Sequence, residues 1–158
     1  MWHTLRMGFL SFETAIAVTG KSRRTLWRRL QDEVLQRSDA RGRTLIDSDW
    51  VRRNSTLPLD GQEWDLVVAA DSGDAAAQCE VGTLCLQAGL HDSAVFWFRE
   101  AAEHGLPDAL HWLAHCHVTG KGVPQSDDLA LSFLAKAAAA GHTIASEQMS
   151  GIKSRLLR

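Results

Sequence analysis

The chain has 158 residues, 45% hydrophobic and 23% charged, with a formal net charge of −2, enough to bury an ordinary core in one or two small domains. No segment reaches the length of an apolar membrane span and no apolar run of secretory length precedes Glu13, so a soluble, cytoplasmic protein is expected. Three cysteines, Cys79, Cys85 and Cys116, are odd in number and lack metal-ligand or redox spacing; they exclude a disulfide framework and read as small buried side chains in a reducing compartment.

The near-zero net charge conceals two opposite halves. Through Pro58 there are 11 Lys or Arg against 6 Asp or Glu, giving +5, and from Leu59 onward 6 against 13, giving −7. The step falls in Asn54 to Gln62, where Pro58, Gly61 and short polar residues have the composition of a linker. The expected organisation is a first domain over 1–57 and a second over 63–158.

In chain order, Ser11 is placed to cap a short helix whose apolar residues Phe12, Ala15, Ile16 and Val18 recur at helical spacing. Gly20 supplies the left-handed backbone that ends it. Ser22 caps the next helix, which carries Leu26 and Leu30 four apart on one face, with Trp27 read as a core residue. Five cations, Lys21, Arg23, Arg24, Arg28 and Arg29, crowd this helix, and no acid interrupts Lys21 to Leu30. Val34-Leu35 and Thr44-Leu45-Ile46 then read as two short strands joined by a polar, glycine-containing loop, and Asp47-Ser48-Asp49 caps a last short helix with Trp50 and Val51.

SFETAIAVTGKSRRTLWRRL followed by RSDARGRTLIDSDWV resembles the winged helix-turn-helix of excisionase and MerR-type DNA-binding proteins, over about residues 9 to 53. The resemblance implies that the second helix enters a major groove while the arginine-bearing wing grips the backbone. Arg24, Thr25 and Arg28 are the candidates for base or groove contact, and Lys21, Arg23, Arg41 and Arg43 for phosphate contact, which carries no sequence information. A unit this small makes few phosphate contacts, so useful affinity calls for a homodimer on two half-sites or for a helping partner. A charge run of this kind is also an ordinary solvated face, and the same fold serves protein contacts.

The acidic half is periodic. AADSG from Ala69, AAEHG from Ala101 and AAAAG from Ala137 end on Gly73, Gly105 and Gly141, at separations of 32 and 36 residues, the mark of stacked helical units. Ala77, Val81, Gly82 and Cys85 correspond to Ala109, Leu113, Ala114 and His117, while Ala94, Trp97, Phe98, Ala101 and Ala102 correspond to Ala130, Phe133, Leu134, Ala137 and Ala138. Small residues thus recur where helices approach closely, and large ones fill the remaining gap. DALHWLAHCHVTGKGVPQSDDLALSFLAKAAAAGH resembles the Sel-one-like repeat, a short α/α solenoid unit related to the tetratricopeptide repeat, with coverage from about residue 64 to 152. The fold class expected for the whole chain is therefore mainly α: a small winged helix-turn-helix and then two full repeats with flanking half-repeats. The resemblance implies protein recognition by the face that the first helix of each unit lines, and no catalysis. His117 stands where that family commonly has tyrosine.

HWLAHCH is the one constellation that invites a metal, since His111 and His115 lie four apart on one helical face. No acidic third ligand accompanies them, and Cys116 and His117 point elsewhere around the helix. Both histidines are read as neutral packing or peptide-contacting residues, with no metal or other cofactor. GKS at Gly20 lacks the upstream glycine of a phosphate-binding loop. Two readings of function follow: a DNA-binding transcriptional regulator whose solenoid holds a protein partner, or a non-enzymatic adaptor that uses both domains to bind proteins.

Overall fold

A computed structural model of the chain describes residues 8–31, 36–39 and 42–156. Its N-terminal part runs β1 (Phe9–Ser11), α1 (Phe12–Thr19), α2 (Arg23–Gln31), β2 (Gln36–Ser38), β3 (Thr44–Asp47) and α3 (Ser48–Arg53). The rest is helical: α4 (Gly61–Asp71), α5 (Ala75–Gln87), α6 (His91–Glu103), α7 (Pro107–Thr119), α8 (Asp127–Ala139) and α9 (Thr143–Leu156).

Local chemistry accounts for the element ends in the basic half. The Ser11 hydroxyl accepts the Thr14 amide, and Gly20, at φ 62°, returns its N–H to the Ile16 carbonyl. Asp47 caps α3 by accepting the Trp50 amide at 2.8 Å. The sheet differs from the two strands expected. It is antiparallel with order β1-β3-β2, because Phe9 to Ser11 pair with Asp47 to Leu45 on one edge of β3 and Gln36 to Ser38 pair on the other. Val34 and Leu35, expected in the first strand, lie outside the described residues. Leu10, Ala15, Val18, Leu26, Leu30, Ile46, Trp50 and Val51 are all buried, so helices and sheet close over one apolar centre.

The first helix of the acidic half, expected from Trp64, starts three residues earlier. An Asp60 capping box, in which Asp60 accepts the Glu63 amide and the Glu63 carboxylate accepts the Asp60 amide, opens α4 at Gly61. From there the helices pair as antiparallel hairpins, α5 with α6 and α7 with α8, and α9 packs on α8 as the leading helix of a further unit. A Cβ placed on Gly82 would stand 2.6 Å from the Phe98 ring, so this glycine admits the large aromatic opposite. In the next unit the corresponding pair is Ala114 and Leu134.

The halves are joined. One continuous cluster of buried side chains runs from Leu10 and Val18 through Leu57, Trp64 and Val67 to Trp97, Phe98 and Leu113. A carboxylate crosses the same junction: Asp71, at the end of α4, accepts the Ser11 amide at 3.1 Å, the Ser11 hydroxyl at 2.6 Å and the Thr14 hydroxyl at 2.6 Å. The Thr56 amide and hydroxyl both donate to the Val18 carbonyl, tying the connecting segment back onto α1. Arg52 lies over the Trp64 ring at 5.7 Å. Two repeats alone are a short stack, and the basic half covers apolar surface on α4 and α6, as a neighbouring unit does in a longer solenoid.

Candidate functional site

Two surfaces carry the candidate residues. The first is the outer face of α2. Leu26 and Leu30 are buried, and Trp27 is half-buried with its ring centroid 4.7 Å from that of Phe12, so the helix is anchored along one stripe. Arg24, Arg28 and Arg29 occupy the other side and are exposed. Among the described residues no carboxylate pairs with any of the three. The other expected contacts are more engaged. Arg23 pairs with Glu13 and lies 5.2 Å from the Phe12 ring centroid. Thr25 is half-buried, with its amide and hydroxyl both on the Ser22 hydroxyl in the first turn. Lys21 is half-buried. Arg43 is held by Asp39 at 2.7 Å, and Arg41 lies outside the described residues.

The second surface lies on the leading helices α5, α7 and α9. A groove of about 580 Å³ crosses them, with Cys79, Glu80 and Thr83 on α5, Asp108 and His111 on α7, and Ile144 on α9. Ile144 is 53% exposed, an apolar side chain offered to whatever enters. His111 stacks on His142 with ring centroids 4.4 Å apart, and His142 Nε2 lies 3.5 Å from the Asp108 carboxylate. His142 Nδ1 accepts the Ala145 amide at 3.1 Å, which caps the first turn of α9. Burial pushes the His111 pKa below its ordinary value, and the charge of His142 acts in the same direction. His115 is exposed and meets the Trp112 ring edge-on at 5.8 Å. Among the described residues no group of three or more His, Cys, Asp or Glu is placed to hold a metal ion.

His117 behaves as the aligned repeats imply: it is buried, stacks on Phe133 at 5.6 Å, and its Nδ1 lies 3.3 Å from the Pro124 carbonyl oxygen. The three cysteines are buried and unbridged. Burial pushes the Cys85 thiol up to about 12 and Cys79 to about 11, and it raises Cys116 as well. Among the described residues no helix is long and apolar enough to cross a membrane. Sequence reasoning missed Asp71, the acceptor that couples the halves. Its partners are 57 and 60 residues away, and nothing local marks it.

Residues 75–106 and 107–142 each match the Sel1 repeat family model. Among solved structures, a Sel1 repeat protein from Oxalobacter formigenes is 33% identical with a TM-score of 0.50, over 56% of this chain and 27% of that one. A protective antigen present in uropathogenic Escherichia coli strains and displaying an SLR fold is 34% identical with a TM-score of 0.52, over 56% of this chain and 20% of that one. This chain thus corresponds to about a quarter or less of each neighbour's length. No curated protein matches it. Two Sel1 repeats, over residues 75–142, therefore build the solenoid that carries the groove on α5, α7 and α9.

Proposed function

We propose that this chain is a non-enzymatic adaptor whose Sel1 solenoid holds a protein segment while its basic N-terminal unit holds a second, acidic partner. The observation that carries the reading is the groove across the leading helices of successive Sel1 repeats, open and lined by both apolar and acidic side chains. Glu80 and Asp108 give it a negative rim, which selects a segment with Lys or Arg beside an apolar anchor. Site-specific photocrosslinking from Thr83 in cells tests this. A discrete crosslinked protein, lost in an Asp108→Lys/Glu80→Lys variant that still folds, is the expected result; no crosslink, or one indifferent to the charge reversal, refutes it.

A second reading is favoured by a separate observation, the exposed cations Arg24, Arg28 and Arg29 of α2, which pair with no carboxylate among the described residues. On this reading the N-terminal unit is a winged helix-turn-helix that binds DNA, with α2 in the major groove, and the protein regulates transcription as a dimer or with a partner. Capture with and without nuclease separates the two. Partners that survive nuclease, with no enriched DNA fragment, support the adaptor; salt-dependent gel shifts abolished by Arg24→Ala/Arg28→Ala support the regulator.

A further inference from the structure

The two repeats differ in one respect that their alignment exposes: each hairpin forms a wedge with the next leading helix, and among the described residues the first wedge is filled while the second holds a cavity. We propose that the second wedge, between α7, α8 and α9, receives an aromatic side chain carried on an apolar segment of a protein partner. The proposal rests on the adaptor reading and adds to it a second site, which meets the groove on the leading helices at His111.

The first wedge shows what such a space is built to hold. Trp112 of α7 stacks on Phe98 of α6 with ring centroids 5.7 Å apart and planes 6° apart. The α7–α8 loop completes the filling. A Cβ on Gly122 would stand 2.3 Å from the His91 carbonyl oxygen and 3.0 Å from the Val95 side chain, and Val123 packs against the core. Val95 is accordingly only 3% exposed.

Among the described residues no aromatic fills the equivalent place in the second wedge, where the Gln148 side chain hydrogen-bonds His111. Gln148 of α9 stands where α7 has Trp112, and Gly151 stands where α7 has His115. Leu131, the counterpart of Val95, is 41% exposed, and Val118 at the mouth is 52% exposed. The result is a cavity of about 640 Å³ floored by Ala114, Ala130, Leu131 and Leu134. A Cβ on Gly151 would meet nothing within 4 Å. A glycine inside a helix is less favourable than alanine; here it keeps the wall open.

The occupant follows from continuity with the stacking interface already formed by the first repeat. An aromatic ring lying on Leu134 reproduces the contact of Trp112 on Phe98, and an aliphatic side chain beside it covers Leu131 as the loop covers Val95. Asp127 and Arg155 sit at the same end of the wedge and offer opposite charges, so the segment entering there needs no strong net charge. A second copy of the chain is a poorer occupant. Its own loop of the right shape, residues 120–124, is already seated on the first wedge.

The test uses the full chain, isotope-labelled, and a synthetic peptide with the sequence of residues 107–126, which contains both fillers of the first wedge. Saturable shifts at the amides of Ala114, Ala130, Leu131 and Gly151 are expected, with affinity falling about tenfold or more when the peptide's tryptophan is replaced by alanine. Gly151→Leu, and independently Leu131→Lys, abolish binding while leaving the melting temperature within a few degrees of the parent protein. Absence of saturable shifts, shifts confined to Cys79 and Thr83, or binding indifferent to both substitutions overturns the proposal. Concentration-dependent dimerisation blocked by Gly151→Leu assigns the wedge to a second copy and overturns it too. If the Thr83 crosslink persists while the peptide fails, only the wedge proposal falls; if both fail, the adaptor reading falls with it.

Discussion

Replacing Asp71 by alanine strikes the junction between the halves without touching either core. Its carboxylate accepts from two hydroxyls at 2.6 Å and one amide at 3.1 Å, and hydrogen bonds to a charged acceptor are each worth about 1.5–3 kcal/mol. They share one carboxylate and do not add in full. After the substitution the Thr14 hydroxyl, on a residue only 2% exposed, keeps just the Ser11 hydroxyl as a neighbour, and a total loss of about 3 kcal/mol is expected. With a urea dependence of about 2 kcal/mol per molar, the unfolding midpoint drops by about 1.5 M. Far-ultraviolet circular dichroism and tryptophan fluorescence should move together in the parent protein, because the buried cluster runs unbroken across the junction. Thr14→Val isolates the strongest pair in a double-mutant cycle, with a coupling of about 1–2 kcal/mol. A coupling below about 0.3 kcal/mol, or two separate transitions in the parent protein, would refute the idea that the halves fold as one unit through this contact.

Other substitutions probe the remaining interfaces and titrations. Gly82→Ala drives a Cβ to 2.6 Å from the Phe98 ring and should cost about 1–3 kcal/mol of overpacking, only partly offset by alanine's helix propensity, read as a fall in melting temperature. The three thiols should resist iodoacetamide at pH 8 in the native protein and react promptly in urea, because burial keeps them protonated; the stabilisation this gives Cys85 is complete below pH 9 and lost as pH rises through about 12. His111 titrates below its ordinary 6.5, so its neutral form is favoured by folding: the associated stability is present above pH 6.5 and lost as pH falls through the depressed value. His111→Gln should flatten the fall in melting temperature between pH 7.5 and 5.5; an unchanged slope would assign that fall to other groups.

What was legible in the sequence was whatever is stated within a few residues or repeated. Ser11, Gly20 and Asp47 mark their helix ends because a cap is satisfied three or four residues away, and the glycines at 73, 105 and 141 expose the repeat by their spacing. The Asp60–Glu63 box was equally local, and reading it would have moved the start of α4 back to Gly61. By contrast β1 is three residues long and exists because β3, more than thirty residues on, offers it an edge. Asp71 and the wedge are legible only once distant elements are brought together. Gln148 looks like any surface glutamine until α9 is laid over α7 and takes the place of Trp112.

The opposite charges of the two halves suggest an electrostatic clamp, yet the junction is built otherwise. Both ion pairs among the described residues lie within one half, Arg23 with Glu13 and Arg43 with Asp39, and so does the contact of His142 with Asp108. What crosses between the halves is apolar burial, the Asp71 hydrogen bonds and the Arg52–Trp64 contact. Short-range contacts of this kind survive salt, whereas exposed charges are screened within about 3 Å at 1 M ionic strength. Raising sodium chloride from about 0.05 to 1 M should therefore leave the unfolding midpoint unchanged or slightly higher, as repulsion among Arg24, Arg28 and Arg29 is damped. Any partner held by those arginines, protein or DNA, should instead be released steeply over the same range. A loss of more than about 1 kcal/mol of stability at high salt would mean that the solenoid's acids do hold the basic half, and that the cations of α2 are not free for a partner.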